Sequence, residues 1–154
     1  MMGIKMKMQH SDYMALALEE AQAAGALGEI PVGCLIVQDG RILSKGRNTR
    51  ETEKTALGHA EINAIHSACL EQHSWRLSGC TLYVTLEPCP MCMGAILNAR
   101  IDRVVFGAYD PKAGCCGTLA DFSRLGFNHA PEIIGGIREL ACSALLQDFF
   151  SRLR

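Results

Sequence analysis

His59-Ala60-Glu61 and, further along, Pro88-Cys89-Pro90-Met91-Cys92 are the two segments that any fold of this chain must bring together. Cysteines at i and i+3 present both sulfurs to one side of a helical turn, and a histidine from elsewhere completes a three-ligand zinc site. Structural zinc sites are closed by four protein ligands, whereas catalytic ones hold three and leave a position for water. His59, Cys89 and Cys92 therefore read as the ligands of one zinc ion per chain in a hydrolytic site. Glu61 reads as the spare carboxylate that moves protons. Two thiolates cancel the charge of the metal, so bound water is acidified less than beside three neutral histidines, and Glu61 must serve as base as well as acid. On a regular helix His59 and Glu61 lie roughly 160° apart, so both can address one metal only from a first turn. His66 lies about 10 Å further along the same helix. It reads as a core histidine with a hydrogen-bond partner, not as a fourth ligand.

The rest of the chain alternates strands with helices. A helix capped by Ser11-Asp12 runs to about Gly25-Ala26. Val32–Val37 and Arg41–Lys45 flank Asp39-Gly40, a strong hairpin signal. The polar stretch from Thr49 to Thr55 reads as a loop, and His59–Gln72 as a helix with Ile62, Ile65 and Cys69 on one face. Thr81–Leu86 is a strand, Pro88 marks a helix start, and Cys89–Asn98 is a short helix. Arg103–Ala108 and Glu132–Gly135 are strands, separated by a long loop with a short helix near Leu119–Leu125. Ile137–Leu153 closes the chain as a helix. This order predicts an α/β fold with a largely parallel sheet covered on both faces, the opening hairpin being its antiparallel part.

The chain has 154 residues, 49% of them hydrophobic, which is the size of one ordinary domain. Residues 1–154 read as one domain whose first ten residues form a flexible start. Fifteen basic residues against 16 acidic give a net charge of −1, so a nucleic-acid footprint must be local. One candidate is the stretch from Arg41 to Lys54, which also carries Lys45, Arg47 and Arg50. The other is the chain's end, where Arg152 and Arg154 read as RNA backbone contacts beside Phe149-Phe150. The start lacks the apolar run of a signal peptide, so the eight cysteines read as reduced thiols of a cytoplasmic protein. Cys34, Cys69, Cys80 and Cys142 fall in apolar runs, and Cys115-Cys116 in a Gly-rich loop. No run reaches the about 18 apolar residues of a membrane helix, and no membrane partner is expected.

His-x-Glu followed by Pro-Cys-x-x-Cys is shared by zinc nucleobase deaminases. Over nearly its whole length the chain resembles the bacterial tRNA-specific adenosine deaminases. The matching pieces are Glu29–Cys34, Gly46–Asn48, His59–Glu61, Thr81–Cys89, Ala99–Ile101, Val104–Ala108, Asn128-His129 and Asp148–Phe150. The resemblance implies a three-layer α/β/α, cytidine deaminase-like fold with a five-stranded mixed sheet flanked by helices. It implies hydrolytic deamination of adenosine to inosine at the wobble position of the tRNA anticodon, by zinc-activated water with Glu61 as proton shuttle. It also implies substrate contacts from Asn48, Ala60, Asp110, Phe149 and Phe150. Tyr109 departs from the pattern, standing where a basic residue is frequent, although a tyrosine can stack on a base.

A homodimer is expected through the helix after the metal motif. Met91, Met93, Ile96 and Leu97 spread around much of it, more than one core-facing side should hide. The resemblance implies association through the same region. Two rival readings remain: a deaminase of a free base or nucleoside of the guanine or cytosine type, and a non-catalytic zinc-stabilised binding module. The first suits the near-zero net charge; the second would need neither Glu61 nor an open metal position.

Overall fold

The computed structural model describes residues 7–153. Of the expected flexible start, residues 1–6 lie outside the described ones, and His10 already belongs to a helix, its Nδ1 2.8 Å from the Tyr83 hydroxyl. The elements are α1 (His10–Ala26), β1 (Gly33–Gln38), β2 (Arg41–Arg47), α2 (Ala60–Gln72), β3 (Cys80–Leu86), α3 (Pro90–Ala99), β4 (Arg103–Ala108), β5 (Glu132–Ile134) and α4 (Glu139–Arg152). A single 3-10 turn, Phe122–Arg124, interrupts the long loop between β4 and β5. At the start of α1 the cap is Gln9, and Asp12 sits inside the first turn, accepting from the Gln9 N–H at 2.7 Å. The helix start expected at Pro88 is two residues later, with Pro90 in the first turn of α3, where its missing N–H costs nothing.

The sheet has the order β2-β1-β3-β4-β5. β1 is antiparallel to both neighbours, whereas β3, β4 and β5 run parallel, so the antiparallel part extends one ladder beyond the hairpin. The physical reason is a crossover: β2 leaves the hairpin at the edge, and α2 carries the chain over β1 to place β3 on its far side, parallel to β2. The turn of the hairpin is Asp39-Gly40, with φ of 49° and 76°, as a tight turn between twisted strands requires.

Alternate strand residues enter two cores. Cys34, Ile36, Leu82, Val84, Val104 and Phe106 pack on the side of α2 and α3. Leu35, Val37, Tyr83 and Val105 pack with Met14, Ala17 and Cys142 of α1 and α4. Three layers result, because β1, β3 and β4 are buried along nearly their whole length while alternate residues face opposite sides. Both strands of the hairpin use a glycine for close approach. A Cβ on Gly33 would lie 2.0 Å from the Ala17 carbonyl oxygen, and one on Gly46 would lie 2.2 Å from that of Ala60. Gly46 thereby lets the first turn of α2 rest directly on β2.

The apolar surface of α3 is largely satisfied inside the chain. Met93, Ile96 and Leu97 are buried and Met91 is half-buried, because the loop from Cys115 to Phe122 folds over the helix, with the Cys116 sulfur 3.4 Å from that of Met93. The sequence argument for a dimer from these side chains therefore fails. His66 is likewise exposed, not a core histidine.

Candidate active site

Two helix starts and the C-terminal ends of β2, β3 and β4 meet at one end of the sheet. His59 is the N-cap of α2, with an extended backbone (φ −88°, ψ 149°), and Cys89 is the N-cap of α3 (φ −80°, ψ 175°). Leaving the helical path at His59 lets its ring address the same point as Glu61 in the first turn. A tetrahedral zinc with bonds of about 2.0 Å to nitrogen and 2.3 Å to sulfur has N···S edges of about 3.5 Å. His59 Nδ1 lies 3.6 Å from Cys89 Sγ and 3.5 Å from Cys92 Sγ, so the donor set fits that ion without rearrangement. His59, Cys89 and Cys92 form the one such cluster among the described residues, with all three ligand atoms within 4.8 Å of one another.

The protein's own groups already polarise the ligands. Donation from the Cys92 thiol, opposed by burial and aided by His59, pulls the Cys89 thiol down to about 4. That hydrogen bond and burial push the Cys92 thiol upward in return. His59 is raised, chiefly by its hydrogen bond to Cys89. Burial pushes the Glu61 carboxyl up to about 7, the value at which a group both takes and gives protons near neutrality.

The inner cavity, about 150 Å³, is lined by the apolar side chains of Ile30, Val32 and Leu86 together with His59, Ala60, Glu61, Asn48, Arg50 and Asp110. It is smaller than the about 300 to 1,000 Å³ of typical small-molecule pockets and suits a single base. Asn48 Nδ2 donates to the Ile30 carbonyl at 3.2 Å, and Oδ1 accepts from the Arg50 N–H at 3.0 Å. One N–H and one lone pair of the amide remain for a purine edge. Ile30, Leu86 and Asp110 also line an adjoining outer groove, about 780 Å³, flanked by the exposed rings of Tyr109 and Phe150.

The arrangement matches a known family. The model of the cytidine and deoxycytidylate deaminase zinc-binding region aligns with residues 7–108, more than half of the chain. The chain belongs to this deaminase family. Among curated members, the tRNA-specific adenosine deaminase of Bacillus subtilis (strain 168) is 48% identical over 143 residues, covering 92% of this chain and 89% of that protein. A solved structure from work on A-to-I editing by tRNA:A34 deaminases at the wobble position superposes with a TM-score of 0.83 at 41% identity, covering 87% of this chain and 98% of that one. The guanine deaminase of Bacillus subtilis superposes with a TM-score of 0.64 at 38% identity, over 66% of each chain.

Not every residue expected at this deaminase site has a free side chain there. Asp110 lines both cavities, but its Oδ1 accepts from the N–H groups of Lys112 and Ala113 at 2.9 and 3.2 Å, which makes it a turn residue as well. Phe149 is half-buried and its ring stands 5.6 Å from that of Phe150. Phe150 reaches the outer groove, whereas Arg152 is not part of its lining and pairs with Asp148 at 3.0 Å on the surface. Arg154 lies outside the described residues. Cys115 and Cys116 are buried under the site without forming a second metal cluster among those residues.

Two buried carboxyls that the motif reading left without a role hold the walls. Glu87 accepts from the N–H groups of Asp110, Cys116 and Thr118 at 3.1, 2.9 and 3.2 Å, and from the Thr118 hydroxyl, tying the β4 loop to the loop over α3. Glu29 accepts from the N–H groups of Glu51 and Thr52 at 3.0 and 2.6 Å, and from the Thr52 hydroxyl. Burial pushes the Glu29 carboxyl upward, but those bonds outweigh it and hold the group below its usual range. The signal in the sequence is a glutamate one or two residues before a proline, in Glu87-Pro88 and Glu29-Ile30-Pro31.

Proposed function

We propose that this chain, as one deaminase domain over residues 1–154, converts adenosine to inosine at the wobble position of a tRNA anticodon. The observation that carries the proposal is a base-sized catalytic cavity opening into a larger groove with exposed aromatic rings, in a chain so similar to tRNA-specific adenosine deaminases. A free base needs only the cavity. A nucleotide flipped out of an anticodon loop needs the cavity for its base and the groove for its neighbours, which Tyr109 and Phe150 can stack on.

His59, Cys89 and Cys92 hold the zinc, which when bound acidifies water and polarises it for attack on the base. Asn48 and the apolar walls from Ile30, Val32 and Leu86 orient the purine so that C6 faces Glu61. Glu61 takes a proton from the attacking water and delivers it to the ring nitrogen, then passes the second proton to the amino group. The new C–O bond forms, the C–N bond breaks, ammonia leaves, and the base keeps a carbonyl. Glu61 is buried, so water cannot compete for these protons. Zinc thiolates require reduced cysteines, which suits a cytoplasmic setting. Among the described residues, no helix is long and apolar enough to cross a membrane.

The deciding assay measures inosine and ammonia from an anticodon stem-loop beside free adenosine, cytidine, guanine and cytosine. Turnover of the stem-loop with little on the small substrates is the expected result. Efficient turnover of guanine with none on RNA would move the chain to the small-substrate reading. Zinc content without turnover of any substrate would favour a binding module.

The protein acts as a homodimer in this proposal. Exposed Phe127 lines a groove with Gly94, Leu97 and Phe122, beside α3. Sedimentation at micromolar protein is expected to give a dimer, and Phe127→Glu a monomer. A wild-type monomer would remove the dimer without touching the catalytic assignment.

A further inference from the structure

Among the described residues, Arg50 is the only lysine or arginine lining the inner cavity. Its guanidinium makes neither an ion pair nor a hydrogen bond among the described residues, whereas Arg41, Arg103, Arg124 and Arg152 are paired with carboxylates. Lys45 and Arg47 of the same basic stretch project from the edge strand β2. Among the described residues, Arg50 alone brings an exposed, unpartnered positive charge to the lining of the inner cavity.

The backbone beneath it is held from several sides. The Arg50 N–H donates to Asn48 Oδ1 at 3.0 Å, and its carbonyl accepts from the Thr55 N–H at 3.1 Å. The next two N–H groups are bound by buried Glu29 at 3.0 and 2.6 Å. Gly58, just before the zinc ligand His59, packs so closely that a Cβ there would meet the Arg50 nitrogen at 2.8 Å. The residue that grips the purine edge and the residue that carries the charge thus share one rigid loop. The other charged side chains around the cavity, Glu61, Glu87 and Asp110, repel anions. A neutral base has no use for a cation in this lining, but the phosphodiester of a nucleotide in a strand does.

We propose that Arg50 binds the phosphodiester next to the target nucleotide and so makes the site prefer an adenosine within RNA over a free base or nucleoside. The proposal rests on the tRNA reading above. Zinc-loaded Glu61→Ala protein serves as a binding background without turnover. Its affinity for an anticodon stem-loop is measured with and without Arg50→Gln, on RNA whose flanking phosphates are replaced one at a time by neutral methylphosphonates. Arg50→Gln is expected to weaken the unmodified stem-loop about tenfold or more and to lower the salt slope by about 0.7. One methylphosphonate should weaken the Arg50 protein to a similar degree and leave the Arg50→Gln protein unaffected, the non-additivity of groups in contact. Equal affinity of the two proteins, or additive losses at every flanking phosphate, overturns the assignment. If the otherwise wild-type enzyme forms inosine from the stem-loop, such a result removes Arg50 alone; if it forms none, both readings fall.

Discussion

Glu61→Ala is expected to keep one zinc per chain and its fold while stem-loop turnover falls by about 10² to 10⁴, the range for a lost acid-base group. Three donors already satisfy the metal geometry, and Glu61 is not in that cluster. The carboxyl is buried and held up to about 7 by that burial, so its removal relieves a desolvated group and leaves only a small space beside the cavity. Metal content by elemental analysis, melting temperature and inosine formation are measured on one preparation. Cys89→Ala should give the opposite pattern, losing metal and stability together, because ligand binding energy is part of the folding energy. Loss of zinc in the Glu61 variant would make this glutamate a ligand and end its assignment as the proton carrier.

The difference between these two variants is legible in the sequence alone, because ligand spacing and the spare carboxylate are local patterns. The hairpin at Asp39-Gly40, the bounds of β4 and the placement of His59 and Cys89 at helix starts were legible for the same reason. What was not legible depends on partners far away in the chain. No local pattern says that β3 settles beside β1, because the crossover of α2 decides it. The all-round apolar surface of α3 suggested a subunit interface, since nothing in its own residues announces that the loop from Cys115 to Phe122 will cover it. Glu29 and Glu87 look like solvated charges until the loops that donate to them are in place. Arg50 stood out only as one charge in a basic stretch, and its position at the cavity came from the loop that Glu29 and Gly58 hold.

Gly46→Ala is expected to damage the zinc site from behind, through packing alone. A Cβ at Gly46 would meet the Ala60 carbonyl oxygen at 2.2 Å, the Ala64 nitrogen at 2.7 Å and the Ala64 Cβ at 3.0 Å. Those atoms are the backbone and core face of α2, so no side chain can swing away and the helix must shift outward. The first turn of α2 carries Glu61, and its cap is His59, so the shift opens the N···S distances that now match a zinc tetrahedron. Overpacking typically costs about 1 to 3 kcal/mol, and a backbone clash belongs at the upper end. At about 2 to 4 °C per kcal/mol for a chain of this size, a melting temperature lower by about 6 to 12 °C is expected, together with weaker zinc binding. Gly94→Ala is the comparison within the other ligand-bearing helix. A Cβ there meets nothing within 4 Å, and the glycine-to-alanine gain in a helix interior, up to about 1 kcal/mol, should leave stability equal or slightly higher. Zinc retained at wild-type affinity in Gly46→Ala would show that α2 can move without carrying its ligand away, and the coupling between sheet packing and metal geometry would have to be abandoned.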